Sequence, residues 1–127
     1  MIAPDSSTII AYLAGEAGTD VAALDRALAD GIVGLPPVVL TEILSDGKLP
    51  SRLGAYLREI PLLAISDGYW ERAGDLRRKV LASARKARLA DTLIAQSCID
   101  HEAPLITRDR DFRAFARVSP LKLLPSK

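Results

Sequence analysis

Short apolar runs that alternate with helix-patterned stretches are the feature that most constrains the fold of this chain. Four runs have strand length, at residues 32–35, 62–65, 105–107 and 121–124. Residues 1–4 predict a further strand, which either ends at Ala3 or leaves Pro4 unpaired, because proline lacks the ladder donor. Strands that alternate with helices require right-handed crossovers. The sequence therefore predicts an α/β fold, a three-layer α/β/α sandwich with a mainly parallel central sheet.

The stretches between these runs have helical spacing. In the first, Ile9, Ile10 and Leu13 fall on one side. We expect Thr19 or Asp20 to cap the second helix and Ser66 or Asp67 to cap the fifth, because such side chains accept hydrogen bonds from free backbone N–H groups. The predicted helices cover residues 7–13, 20–30, 38–45, 49–60, 67–84 and 90–101, with a short one around Phe112 and Phe115.

The size of the chain predicts one domain over residues 1–127, with an apolar content of 49% that is sufficient for a core. The lone Cys98 excludes an intramolecular disulfide and is expected to be a buried thiol, and the lone His101 gives little support to a zinc site. The sequence shows neither a membrane-spanning stretch nor a signal-peptide pattern. We therefore expect a soluble cytoplasmic protein that does not bind membranes.

Charge is distributed unevenly along the chain. Residues 1–66 carry 4 basic and 8 acidic residues, whereas residues 67–127 carry 13 and 8. Such a local excess of positive charge attracts a phosphate backbone, although a solvated helix face is the competing interpretation. Most of the excess lies in Arg77, Arg78, Lys79, Arg85, Lys86, Arg88, Arg108, Arg110, Arg113 and Arg117.

Acidic residues occur where a parallel sheet gathers functional groups. Asp5 follows the first strand, Asp109 follows the run at 105–107, and Asp91 opens a helix. For each of these aspartates, capping of a helix is the competing role. Glu42 lies in an apolar helical stretch, where the pattern offers no obvious solvent-facing position, and a buried carboxylate needs a partner.

If these four carboxylates converge, their mutual repulsion raises their pKa values unless a cation neutralises them. An all-oxygen ligand set favours a hard ion, Mg²⁺ or Mn²⁺. Such an ion can polarise a phosphodiester and activate a water for in-line attack. The acidic residues thus favour metal-dependent phosphodiester chemistry.

Four segments in this order resemble the PIN-domain proteins of the VapC toxin type. They lie at residues 5–13, 40–44, 90–95 and 105–112, and read DSSTIIAYL, LTEIL, ADTLIA and LITRDRDF. The resemblance runs nearly end to end and departs from the family pattern at Pro4, where an aliphatic residue is common. It implies a parallel sheet between helices, an endoribonuclease activity that depends on Mg²⁺ or Mn²⁺, and inhibition by a cognate antitoxin protein.

The resemblance also assigns roles to individual residues. It implies that Asp5, Glu42 and Asp91 bind the metal and that Asp109 is the fourth acidic position; Asp111 is a nearby substitute whose competing role is to brace the turn. Ser7 and Thr107 resemble the polar residues beside the acids that orient carboxylates or water, with local capping as the alternative. We expect the phosphates of an RNA substrate to be positioned by Arg85, Lys86, Arg88 and Arg108.

The resulting hypothesis is an endoribonuclease, the toxin of a toxin–antitoxin pair, which by the same resemblance forms a homodimer. The alternative is a non-catalytic PIN-like module that binds nucleic acid or an antitoxin, in which the acids are only caps. The two hypotheses differ in metal dependence. A receiver or phosphatase on a similar sheet would need a second aspartate near Asp5, where the chain has Ser6 and Ser7.

Overall fold

The computed structural model describes residues 1–124, and this part of the chain forms three short strands and seven α-helices. The strands are β1 (Ala3–Pro4), β2 (Leu105–Ile106) and β3 (Leu123–Leu124). A 3₁₀ turn at Arg110–Phe112 leads directly into the last helix. The helices are α1 (Ser6–Leu13), α2 (Thr19–Ala29), α3 (Pro37–Leu44), α4 (Ser51–Arg58), α5 (Tyr69–Ala82), α6 (Leu89–Asp100) and α7 (Arg113–Arg117).

The sheet is parallel, with β2 between β1 and β3. On the other side of β1, two isolated parallel bridges continue the order, from Ile2 to Val33 and from Leu35 to Leu62. The predicted strands at 32–35 and 62–65 are therefore present only as single bridges. The predicted α/β/α arrangement with a parallel central sheet is confirmed. None of the helices in residues 1–124 has the length and apolar character needed to cross a membrane.

Pro4 explains why the sheet is interrupted on one side of β1. The N–H groups of Ala3 and Asp5 donate to carbonyls at β2, at 3.0 and 3.1 Å. Alternate residues of a strand donate in opposite directions, and Ile2 donates the other way, to the carbonyl of Ile32 at 2.8 Å. Pro4 is the next position on that side and has no N–H. The strand therefore keeps its pairing with β2 through Pro4 and loses the ladder beyond one bridge.

The start of α2 differs from the sequence prediction. Gly18 is the N-cap, and neither Thr19 nor Asp20 supplies a side-chain cap. The carboxylate of Asp20 instead accepts hydrogen bonds from Thr8 and Arg108 inside the protein. The capping prediction was wrong because these tertiary contacts occupy the side chain that the local pattern assigned to the helix end.

The start of α5 also differs. Its N-cap is Gly68, which adopts a left-handed conformation with φ of 81° that glycine accepts without strain. The predicted caps, Ser66 and Asp67, lie outside the helix. The hydroxyl of Ser66 donates to Asp100, and the backbone carbonyl of Asp67 accepts from Arg72 at 2.7 Å.

The core lies between the sheet and the helices, and includes Phe112 and Phe115 with 1% and 0% exposure. Two apolar segments are only partly buried. Residues 62–65 form an edge in which only Leu63 is buried, because a single bridge joins this segment to the sheet. Ile10 is exposed, whereas its neighbour Ile9 packs in the core.

Cys98 is buried as expected, and burial raises the pKa of its thiol to about 12, so the thiol stays protonated.

Candidate metal centre

Parallel pairing of β1 and β2 brings their carboxyl ends to one edge of the sheet. Asp5 directly follows β1, and Asp109 lies in the loop after β2. The first turn of α6 adds Asp91, and α3, which packs on both α1 and α6, adds Glu42. The four acidic residues predicted from the sequence therefore converge at this edge.

Asp5 is held rigidly at the start of α1. Its carboxylate accepts hydrogen bonds from the Thr8 N–H at 3.1 Å, the Ser7 hydroxyl at 2.8 Å and the Thr107 hydroxyl at 2.7 Å. Only 3% of the residue is exposed. Burial raises the pKa of Asp5 in spite of these donors, and the negative charge of Asp109 adds to the increase. Ser7 and Thr107 thus contact the carboxylate that they were predicted to orient.

Asp91 is partly buried and lies close to the other acids. Burial raises its pKa to about 6, with further increases from the charges of Asp109, Glu42 and Asp5 that outweigh the opposing effect of Arg88. Asp91 is the third residue of α6, whose N-cap is Arg88, so it does not cap the helix. Capping, the competing role, thus applies to Asp5 and Asp109 but not to Asp91.

The loop after β2 places a further carboxylate in the cluster. Asp109 donates its N–H to the Thr107 hydroxyl at 2.9 Å and caps the 3₁₀ turn by accepting from the Asp111 N–H at 2.9 Å. Asp91, Asp109 and Asp111 each offer a carboxylate oxygen, and these oxygens lie within 4.8 Å of one another. Asp111 therefore braces the turn through its backbone while its side chain joins the acidic cluster.

Glu42 lies at the open side of the cluster. It is exposed, and its carboxylate accepts a hydrogen bond from the Ser6 hydroxyl. The expectation of a buried Glu42 was wrong, because α3 turns Val39 and Ile43 into the core and leaves the glutamate facing solvent.

The predicted RNA-contacting residues fall into two groups. Arg85 and Arg88 are exposed and form no ion pair within residues 1–124. Lys86 is bound to Asp111, with 2.9 Å between Nζ and Oδ2. Arg108 is also engaged: Nε and Nη2 donate to the two oxygens of Asp20 at 2.7 and 3.0 Å. The four residues therefore differ in how much of their charge remains for a ligand.

Sequence reasoning missed the buried network around Asp20. Asp20 is 5% exposed and accepts from the Thr8 hydroxyl at 3.0 Å as well as from Arg108. These hydrogen bonds, chiefly that of Arg108, lower the pKa of Asp20. A signal was available, because Asp20 shares a helical face with the buried Leu24 and Ala27.

The residues present fit a hard divalent cation. The donors are carboxylate oxygens, and burial, together with the charges of neighbouring acids, raises the pKa values of Asp5 and Asp91. Oxygen ligands of this kind suit Mg²⁺ or Mn²⁺. Asp91, Asp109 and Asp111 form the closest group, and Asp5 and Glu42 lie beside it.

Solved structures share this fold. One match, with a TM-score of 0.76 and 21% identity over 97% of both chains, is from the crystal structure of VapBC2 from Rickettsia felis bound to a DNA fragment from their promoter. Another, with a TM-score of 0.69 and 20% identity over 98% of both chains, is from VapBC-5 of Mycobacterium tuberculosis, a member of the VapBC family of toxin–antitoxin systems. At this level of identity the matches establish the fold.

The family itself follows from the sequence match. No curated protein matches the chain closely enough to serve as a relative. The sequence model of the PIN domain matches residues 2–118, which is nearly the whole chain. The chain therefore belongs to the PIN domain family, as the resemblance of its four acidic segments predicted.

Proposed function

We propose that this PIN-domain protein is a metal-dependent endoribonuclease and the toxin of a toxin–antitoxin pair. The observation that carries the proposal is the convergence of Asp5, Asp91, Asp109 and Glu42 at the carboxyl edge of the sheet, where the pKa of Asp91 rises to about 6. Nucleases of the PIN and VapC kind are hydrolases, and this arrangement of acids fits that class. RNA is the proposed substrate.

In this proposal Asp5, Glu42, Asp91 and Asp109 hold Mg²⁺ or Mn²⁺, and Asp111 is a candidate fifth carboxylate. When bound, such an ion polarises a phosphodiester and activates a water for in-line attack. Thr107 keeps Asp5 and the Asp109 backbone in fixed relation through two hydrogen bonds, and Ser7 orients Asp5. Such supporting contacts maintain the geometry on which metal binding depends.

The proposed partners follow from the fold matches. The two matched structures belong to VapBC proteins, one of them described as bound to promoter DNA. We therefore propose that a cognate antitoxin binds this chain, that the chain forms a homodimer, and that it acts in the cytoplasm. Arg85 and Arg88 are proposed to position RNA phosphates. Both are exposed, the charge of Arg88 lowers the pKa of Asp91, and Arg85 lines a cavity together with Asp111.

A non-catalytic binding module is the second candidate function. The observation in its favour is that Asp5 and Asp109 both accept hydrogen bonds at the starts of helical segments, as caps do. The position of Asp91 is evidence against this candidate. Its carboxylate is partly buried and caps no helix, so its charge destabilises the protein, and a binding module would gain nothing from it.

Cleavage of a mixed pool of structured RNAs by purified, partner-free protein tests the proposal. The reactions contain Mg²⁺, Mn²⁺ or a chelator, and compare wild type with Asp91→Asn and with the control Asp30→Asn on the exposed end of α2. We expect metal-dependent cuts in wild type and Asp30→Asn that disappear in Asp91→Asn. Cleavage that persists in both Asp91→Asn and Asp5→Asn would contradict the mechanism. RNA binding without metal-dependent cleavage would favour the binding module.

A further inference from the structure

The segment from the 3₁₀ turn through α7 is strongly amphipathic. Arg110, Arg113 and Arg117 are separated by three and four positions, which places them on one side of a helical segment. Phe112 and Phe115, on the other side, are 1% and 0% exposed. The two buried rings hold this segment against the core and so fix the backbone that carries the three exposed arginines. We call Arg110, Arg113 and Arg117 the arginine row.

The charge of the arginine row is not compensated within the described part of the chain. Arg110, Arg113 and Arg117 form no ion pair in residues 1–124, in contrast to Lys86, which pairs with Asp111, and Arg108, which pairs with Asp20. The arginine row therefore presents three positive charges to solvent, next to the loop that holds Asp109 and Asp111.

Two cavities border the arginine row, and all three arginines line both of them. The larger, of about 510 Å³, also contains Asp109 and Thr107 in its wall. The smaller, of about 310 Å³, also contains Arg85 and Asp111. Each cavity thus extends from the arginine row to an acid of the cluster, and the larger has a volume typical of small-ligand sites, roughly 300–1,000 Å³.

We propose that the arginine row binds the phosphates of single-stranded RNA and that the larger cavity holds the nucleotide adjacent to the scissile phosphate. Guanidinium groups bind phosphate oxygens in a bidentate manner. The acidic cluster repels a polyanion, so cationic groups beside it are needed to bring a phosphodiester close. This inference rests on the proposed nuclease function and assigns RNA positioning to Arg110, Arg113 and Arg117 instead of Arg108 and Lys86, whose charges are already paired.

Binding is measured by fluorescence anisotropy with a labelled single-stranded RNA of mixed sequence, at several salt concentrations in chelator, so that no metal-dependent cleavage interferes. The test protein is the double variant Arg113→Glu/Arg117→Glu. The control is Arg52→Glu/Arg58→Glu, which changes net charge equally on α4, an element that lines neither cavity. Arg113→Gln/Arg117→Gln is a milder variant, and circular dichroism verifies that each protein is folded.

We expect the test variant to bind RNA at least about tenfold more weakly, and the dependence of log K on log salt to become shallower by about 1.4, since each single-strand phosphate contact contributes roughly 0.7. The control should remain within about twofold of wild type. Equal losses in test and control variants, or an unchanged salt dependence in the test variant, would overturn the proposal.

Cleavage assays separate this inference from the proposed function. If wild type cleaves RNA only with metal and Arg113→Glu/Arg117→Glu retains both cleavage and RNA affinity, the RNA-binding role of the arginine row is refuted and the proposed nuclease activity still holds. If no cleavage occurs but RNA affinity still depends on the arginine row, the proposed nuclease activity is refuted and the RNA-binding role of the arginine row still holds. A poly-glutamate peptide that binds as tightly as RNA and displaces it would overturn RNA as the preferred partner.

Discussion

The Thr107 hydroxyl donates a hydrogen bond to Asp5 Oδ2 at 2.7 Å and joins the loops that follow two neighbouring parallel strands. The same hydroxyl oxygen accepts from the Asp109 N–H at 2.9 Å. One small side chain therefore sets the position of two of the four proposed metal-binding acids relative to each other.

Replacement of Thr107 by valine tests this relationship. Thr107→Val keeps the shape of the side chain and removes both hydrogen bonds, so we expect Mg²⁺ or Mn²⁺ affinity to fall by about 10–100-fold, as for other groups that orient metal ligands. Thr107→Ser, which keeps the hydroxyl, is the matched control and should stay near wild type. Isothermal titration calorimetry measures the affinity, and equal affinity in Thr107→Val and wild type would refute the positioning role.

The pKa of Asp91 predicts how the stability of the metal-free protein depends on pH. Because this pKa is about 6 in the folded protein, against an ordinary value of 3.8, the folded state binds the proton more tightly than the unfolded chain. The ionised carboxylate therefore destabilises the fold above pH 6, and this penalty disappears as the pH falls to 3.8. Asp91→Asn should raise the Tm in chelator at neutral pH, with a gain that shrinks at acidic pH.

Thermal unfolding of wild type, Asp91→Asn and Asp30→Asn across this pH range measures the effect. The exposed Asp30 forms a surface pair with Arg26, so its substitution should change the Tm little at any pH. A lower Tm for Asp91→Asn than for wild type at neutral pH would show that the ionised carboxylate does not destabilise the fold.

Metal binding should stabilise the folded protein independently of any RNA. An ion that binds only the folded state at a concentration of 100 times its Kd contributes about 2.7 kcal/mol to the free energy of unfolding. We expect Mg²⁺ and Mn²⁺ to raise the Tm of wild type but not of Asp91→Asn, because the variant loses one of the clustered carboxylates. NaCl at matched ionic strength is the control, and equal shifts with NaCl and Mg²⁺ would argue against a specific site.

The ion pair between Arg108 and Asp20 predicts a structural role for an arginine that the sequence assigned to RNA. Arg108→Ala leaves the buried Asp20 carboxylate without its main partner, so we expect the free energy of unfolding to fall by about 2 kcal/mol. The pair lowers the pKa of Asp20, so its contribution is present above pH 3.8 and declines as the pH falls further. Urea unfolding at neutral and acidic pH measures both effects.

Arg110→Ala is the matched control for Arg108→Ala, because Arg110 is exposed and forms no ion pair in residues 1–124. We expect it to change the free energy of unfolding by less than about 0.5 kcal/mol. Similar losses for the two variants would mean that the pair with Asp20 contributes little to the stability of the fold.

Local pattern was sufficient to predict the α/β class and the position of Asp5 and Asp109. Both follow strands, and the carboxyl ends of parallel strands meet at one edge whatever the details of packing. The same local patterns predicted the helices, because spacing along the chain records which side chains face the core. Their starts were harder to predict: α2 and α5 begin after glycines, since the nearby Asp20 and Ser66 are engaged in tertiary contacts.

The sequence by itself determined the order of strands and helices and the residue types at the carboxyl edge. Only the tertiary structure decided which ion pairs form, Asp20 with Arg108 and Asp111 with Lys86. It also decided that Glu42 faces solvent. The physical reason is that an ion pair depends on the distance between side chains, and residues 20 and 108 approach each other only when the whole chain is packed. Periodicity records burial along each element, whereas the choice of charged partner is made between elements.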